Sequence, residues 1–153
     1  MNLLPVLHQR QRQQADCLAA CTAMVLNYLK LPVDYQRLLQ LLNIKAHGAS
    51  LHNLYNLRPL GLFVLIEEGD ISKLQAHLEI GLLPIVAVST SKLLSYWKED
   101  TDHAVVVVGI DEGFVYLNDP EFAVAPQVVT VEEFESAWLE QDYWYAVIGL
   151  DEI

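Results

Sequence analysis

Cys17 stands where a polar, glutamine-rich segment gives way to an apolar stretch, and its thiol is a candidate nucleophile. No glycine or proline interrupts Asp16–Tyr28, so the sequence predicts a buried helix that begins at or just before Cys17, with Asp16 as its N-cap. Free backbone N–H groups and the macrodipole in the first turn favour a thiolate. The same N–H groups can stabilise an oxyanion, and Gln11 could supply a further amide donor.

A nucleophilic thiol needs a base within hydrogen-bond reach, and His103 is the best candidate among the five histidines. It opens a run of β-branched residues that predicts a central strand over His103–Ile110, so its ring would be held by a rigid frame. The other histidines lie in a lead-in segment, a loop and two predicted helices: His8, His47, His52 and His77.

The base in turn needs a group that orients it. A hairpin turn after the His103 strand returns the chain along Phe114–Asn118, which brings Asp119 back beside His103. Asp119 is therefore predicted to accept the Nδ1 hydrogen of His103. Asn118 is the local alternative, whereas Asp102 would point to the opposite face of the strand.

The remaining chain divides into short elements at capping and turn residues. The further predicted helices are Tyr35–Leu42, a segment from Ser50 to Arg58 that Pro59 stops, Ile71–Glu79, and a helix from a capping box at Thr130 to Leu139. The predicted strands are Leu62–Glu67, Leu83–Ser89, His103–Ile110, Phe114–Asn118, Ala125–Val129 and Tyr143–Leu150. Helices first and an antiparallel sheet second predict an α+β fold in which the Cys17 helix packs on the sheet. We expect a single domain over residues 1–153.

Composition and charge argue against several classes of protein. The formal net charge of −11 disfavours nucleic acid and anionic membranes as partners. The apolar runs are too short for membrane insertion, and no signal peptide precedes them, so we expect a cytoplasmic protein. Cys17 and Cys21, one helical turn apart, suit neither a disulfide nor, without further ligands, a metal site. No metal or cofactor is predicted.

These residues occur in the order Gln11, Asp16-Cys17-Leu-Ala-Ala-Cys21, Met24, His103 and Asn118-Asp119-Pro120. This pattern resembles the bacteriocin-processing (double-glycine leader) cysteine peptidases, a papain-like family, over roughly Gln11 to Trp138. The resemblance implies a papain-like fold with Cys17 as nucleophile, His103 as base, Asp119 as orienter and Gln11 as oxyanion donor. Leu18 departs from the family, which usually has glycine there. We also expect a stand-alone domain, with any exporter partner encoded separately.

Three hypotheses about function follow. The first is a thiol peptidase that hydrolyses a peptide or protein substrate, with a leader cut after small residues as the resemblance implies. The second is an acyltransferase or amide-forming enzyme, in which an amine or thiol replaces water as acceptor for the Cys17 acyl group. The third is a catalytically silent peptide-binding module, which the replacement of glycine by Leu18 favours.

Overall fold

The computed structural model describes residues 3–151, so four residues of the predicted domain lie outside them. The four α-helices are α1 (Cys17–Tyr28), α2 (Tyr35–Leu41), α3 (Ile71–Glu79) and α4 (Val131–Leu139). The six strands are β1 (Leu62–Glu68), β2 (Ile85–Ser89), β3 (Asp102–Asp111), β4 (Phe114–Asn118), β5 (Gln127–Thr130) and β6 (Trp144–Leu150). Short 3-10 helices occupy Gln14–Asp16, Leu51–Leu60 and Thr90–Lys92. The predicted combination of helices with an antiparallel sheet is confirmed.

The strands form one antiparallel sheet in the order β1-β6-β2-β3-β4-β5. Alternate residues of β3 point to opposite faces, because side chains of a strand alternate in direction. Ala104 and Val106 pack with α1 and α2, whereas Val105 and Val107 pack with α3 and α4. The sheet therefore has a hydrophobic core on each face, and β3 lies at the centre of both.

The N-terminal segment docks as an arm rather than as a strand. The backbone N–H of Leu4 donates to the carbonyl of Val108 at 3.0 Å, where the register between β3 and β4 shifts. Further along the arm, Gln11 N–H donates to the carbonyl of Pro120 at 2.8 Å. The arm thus runs from β3 to the loop that follows β4.

One helix differs from the sequence prediction. The segment predicted to be a helix from Ser50 to Arg58 is a 3-10 helix over Leu51–Leu60, and Pro59 lies inside it instead of stopping it. The segment ends at Gly61, whose φ of 84° is a left-handed conformation that glycine adopts without a Cβ clash.

Candidate active site

The 3-10 helix Gln14–Asp16 leads directly into α1, so Cys17 is the first residue of the helix. Asp16 occupies the N-cap position, but its side chain caps no N–H group there. Its φ of −94° and ψ of 7° differ from the extended conformation of a capping residue, and its carboxylate accepts a hydrogen bond from the Tyr35 hydroxyl at 3.1 Å. The predicted side-chain cap is therefore wrong, and Asp16 leaves the first-turn N–H groups untouched.

His103 and Asp119 form a buried pair at the start of β3 and the end of β4. His103 Nε2 donates to Asp119 Oδ1 at 2.7 Å, and the two residues are 7% and 0% exposed. The predicted partnership is thus present, but the prediction of Nδ1 as the contacting nitrogen is wrong. Asp119 contacts Nε2, the ring nitrogen farther from the backbone, so Nδ1 is not used in this pair.

The pKa of His103 reflects both of its neighbours. Burial lowers this pKa, but the hydrogen bond to Asp119 and the nearby Cys17 side chain outweigh burial and raise the pKa to about 10. Burial alone would raise the pKa of Asp119, yet the hydrogen bond from His103 leads a set of contacts that lower it. The two shifts together favour an imidazolium paired with the Asp119 carboxylate.

The two alternative orienters have other partners. Asn118 is buried, and its amide donates to the sulfur of Met24 at 3.9 Å. The carboxylate of Asp102 is exposed and accepts from Gln141 Nε2 at 2.8 Å. Only Asp119, of the three acceptors considered, therefore contacts the imidazole.

Cys17 and His103 lie together on the wall of a cleft of about 590 Å³. Small residues form much of its wall, and it continues toward the connector after α2 and toward β6. The residues lining it include Ala15, Leu18, Gly48, Ala49, Leu51, His52, Ala87, Asp102, Ala104, Gln141 and Trp144. His52 and Trp144 meet edge to face there, with ring centroids 5.0 Å apart. A peptide entering this cleft would reach the thiol.

Gln11 lies in the turn that precedes α1. Its Nε2 donates to the carbonyls of Gln13 and Gln14 at 2.9 and 3.0 Å, so both amide hydrogens are engaged within the turn. Its Oε1 is buried and has no hydrogen-bond partner among residues 3–151. The role of Gln11 as oxyanion donor stays a prediction, and it would need one of these two hydrogens to be released.

Leu18 and Cys21 are core residues of α1. Leu18 is 2% exposed and packs in the core beneath the helix, while it also forms part of the cleft wall. Cys21 is fully buried, and its thiol donates to the carbonyl of Ala104 at 3.4 Å. Burial raises the pKa of Cys21, which keeps this second thiol protonated.

Tyr96 and Trp97 contribute to the site in a way that the sequence did not indicate. Their loop directly precedes His103 in the sequence. Neither lines the cleft; the Tyr96 hydroxyl and Trp97 Nε1 donate to Asp119 Oδ2 at 2.9 and 2.8 Å. Their place just before the base residue in sequence was the available signal.

A helix-tip thiol beside an imidazole that a carboxylate orients is an arrangement for covalent attack on a carbonyl. The sequence model of the Peptidase C39 family matches residues 6–141. The chain belongs to the Peptidase C39 family. It is thus a papain-like cysteine peptidase, as the resemblance implied.

Solved structures of other C39 peptidases have the same fold. The double glycine motif protease of an AMS/PCAT transporter, solved in complex with the leader peptide, has a TM-score of 0.75 at 22% identity over 97% of this chain and 94% of that chain. A putative C39-like peptidase from Bacillus anthracis has a TM-score of 0.76 at 18% identity over 95% and 94%. The peptidase domain of Streptococcus ComA, a bi-functional ABC transporter involved in a quorum sensing pathway, has a TM-score of 0.76 at 19% identity over 94% and 97%. No curated protein matches the chain.

Two kinds of feature are absent from residues 3–151 of this C39 peptidase. No described helix combines the length and the hydropathy that a membrane crossing requires. Within the same residues, no group of three or more His, Cys, Asp and Glu side chains could hold a metal ion.

Proposed function

We propose that this C39 peptidase cleaves a peptide bond with Cys17 as nucleophile, His103 as general acid and base, and Asp119 as orienter. The observation that carries the proposal is the buried imidazole of His103, which binds Asp119 at 2.7 Å and lies with Cys17 on the wall of the same cleft. An imidazolium at this position stabilises the thiolate and holds the proton that the leaving amine needs.

The reaction proceeds through an acyl-enzyme. The Cys17 thiolate adds to the peptide carbonyl, and the backbone N–H of Cys17 together with the Gln11 amide holds the oxyanion. The C–N bond breaks as His103 gives its proton to the amine, which leaves a thioester and a neutral imidazole. His103 then takes a proton from water, whose oxygen attacks the thioester and releases the acid. The thiolate and the imidazolium are thereby restored.

The proposed substrate is a peptide leader cut after small residues such as Gly-Gly. A similar double glycine motif protease was solved in complex with a leader peptide, which supports this choice. The net charge of −11 favours apolar or basic segments over acidic ones. An exporter partner that is encoded separately stays a prediction.

The test combines alkylation and peptide cleavage. Iodoacetamide should label Cys17 and leave the buried Cys21 unmodified. His103→Ala should slow both alkylation at neutral pH and cleavage of a Gly-Gly leader peptide, the latter by about 100-fold or more. Mass spectrometry of the labelled protein and of the peptide products gives both readouts.

The chain contains its own matched control. Cys17→Ser should abolish labelling and cleavage, whereas Cys21→Ser, one helical turn below, should retain both. Labelling of Cys17 with the pH dependence of an ordinary thiol would contradict the proposed pair. A product joined to an added amine would instead identify an acyltransferase, and peptide binding without any turnover would identify a silent module.

A further inference from the structure

Asp119 accepts hydrogen bonds from three groups besides His103, the residue that it orients. It is 0% exposed and accepts four hydrogen bonds. Oδ1 accepts from His103 Nε2 at 2.7 Å and from the backbone N–H of Glu121 at 3.0 Å. Oδ2 accepts from the Tyr96 hydroxyl at 2.9 Å and from Trp97 Nε1 at 2.8 Å. The two side-chain donors on Oδ2 come from a single loop.

Aromatic contacts fix the directions of these donors. The Trp97 ring meets His103 edge to face, with centroids 4.9 Å apart. Phe122, in the loop after Asp119, meets Tyr96 at 5.3 Å and Trp97 at 5.1 Å, again edge to face. Such edge-to-face pairs add stability beyond the area that they bury. The rings therefore enclose the pair of Asp119 and His103 on the side away from the cleft.

The loop that carries the two aromatic residues is itself anchored. Thr90 Oγ1 donates to the carbonyl of Glu99 at 2.7 Å and accepts from Thr101 N–H at 2.8 Å, which closes the base of the loop. Next to Tyr96, Ser95 donates to Glu133 Oε2 on α4 through its hydroxyl at 2.6 Å and its N–H at 3.1 Å. The donors are thus presented from a fixed frame.

We propose that Tyr96 and Trp97 are positioning residues for the reaction, which act through Asp119 and do not touch the substrate. Their two hydrogen bonds to Oδ2 keep the carboxylate ionised and fix its rotation, so that Oδ1 faces His103 Nε2. This inference rests on the proposed peptidase mechanism and assigns these two residues a role within it.

The ionisation of the surrounding groups agrees with this role. The pKa of Asp119 is lowered despite burial, and Trp97 is among the donors that lower it, after His103. Burial and the nearby Asp119 raise the pKa of Tyr96, so its hydroxyl keeps the proton that it donates. The pKa of Cys21, on α1, is raised mainly by burial, and the charge of Asp119 adds to this increase. Removal of donors from Oδ2 should make Asp119 easier to protonate.

The experiment compares Tyr96→Phe and Trp97→Phe with the unaltered protein. Protonated Asp119 can no longer support the imidazolium, so the acid limb of the Cys17 alkylation profile should move up by about one pH unit in each variant. The kcat for a leader peptide should fall about tenfold while KM stays unchanged, because neither residue lines the cleft. Tyr116→Phe is the matched control, since that hydroxyl donates to Asp111 at 2.9 Å, on the β3–β4 hairpin.

A double-mutant cycle distinguishes the positioning role of Tyr96 from the peptidase mechanism on which that role rests. In an Asp119→Asn background, Tyr96→Phe should have no further effect on kcat. If Cys17→Ser abolishes cleavage and Asp119→Asn lowers kcat sharply but Tyr96→Phe leaves the acid limb unmoved, the positioning role is wrong and the mechanism stands. If Asp119→Asn leaves cleavage intact, the proposed mechanism fails with it. A change in KM alone would also overturn the positioning role, since it would place Tyr96 at the substrate.

Discussion

The contacts of Gln11 within the turn before α1 compete with its predicted role as oxyanion donor. Its amide hydrogens bind the carbonyls of Gln13 and Gln14, which shapes the turn entering α1. Its backbone N–H binds the carbonyl of Pro120, in the loop directly after Asp119. The residue therefore links the segment before Cys17 with the segment after Asp119, and a role at the oxyanion would be added to this structural one.

Gln11→Ala separates these two roles, because alkylation forms no oxyanion whereas peptide cleavage does. Loss of an oxyanion donor should lower the kcat for cleavage by about 100-fold and leave the iodoacetamide rate nearly unchanged. Gln9→Ala, in the same arm, is the control, since within residues 3–151 the Gln9 amide donates to the neighbouring carbonyl of Arg10 and to no other group. A parallel fall in cleavage and alkylation would mean that Gln11 acts only by shaping the turn.

At the residue scale, chemical type and order were enough to predict which groups meet, but not how they meet. The partnership of His103 with Asp119 follows from a strand, a turn and a returning strand, all of which have local signals. The contacting nitrogen depends on the rotation of one ring, which no sequence pattern encodes. Tyr96 lies in an irregular loop, so periodicity gave no direction for its side chain.

At the element scale, the start of α1 is positioned by a contact with α2 instead of by a cap. The Asp16 carboxylate is 3% exposed and accepts from the Tyr35 hydroxyl, while the Arg12 guanidinium lies 4.3 Å from the centre of the Tyr35 ring. Burial, with the nearby charge of Asp16, raises the pKa of Tyr35, so the hydroxyl remains a donor. This contact fixes the backbone just before Cys17.

Tyr35→Phe tests that contact. The variant removes a donor from a buried carboxylate, so the free energy of unfolding should fall by about 1–3 kcal/mol in urea titrations. Tyr55→Phe is the control, because the Tyr55 hydroxyl has no hydrogen-bond partner within residues 3–151, and its effect should stay within about 0.5 kcal/mol. Equal stabilities of the two variants would show that Tyr35 does not support Asp16.

Helices whose first turn is marked by a capping residue were predicted well from the sequence. Helix α3 has its predicted bounds, because Asp70 caps it by accepting from Lys73 N–H at 2.8 Å. At α4, Thr130 caps the helix as predicted, but the side chain of Glu133 binds Ser95 and does not complete a capping box. The Glu133 carboxylate accepts instead from Ser95, which lies in a loop far from α4 in sequence. A local sequence pattern does not show that this second donor is within reach.

At the scale of the whole molecule, the sequence predicted the class of fold but not the order of its strands. Strand β6, the last in the chain, lies between β1 and β2, which are close together in sequence. The second core, where α3 and α4 cover the opposite face of the sheet, was likewise not predicted. Both features depend on contacts between distant segments, and hydrophobic alternation along one strand does not specify its neighbour.

The buried pair of His103 and Asp119 should make the stability of the whole molecule depend on pH. The pKa of His103 is raised from 6.5 to about 10, so its contribution is fully present below pH 6.5 and is lost as the pH rises toward 10. The pKa of Asp119 is lowered from 3.8, so its contribution is present above pH 3.8 and is lost as the pH falls through the lowered value. These two residues therefore predict greatest stability between pH 3.8 and pH 6.5.

Urea unfolding at a series of pH values tests this dependence. Between pH 6.5 and pH 10 the free energy of unfolding should decline in the unaltered protein, because the unfolded chain loses the His103 proton first. His103→Ala should be less stable at pH 6.5 and should show a much flatter decline. His47→Ala should keep the decline, since His47 is exposed and forms no hydrogen bond with the rest of the described chain. An equally steep decline in His103→Ala would mean that other groups cause it and that His103 is not held as an imidazolium, which would remove the electrostatic basis for a reactive Cys17.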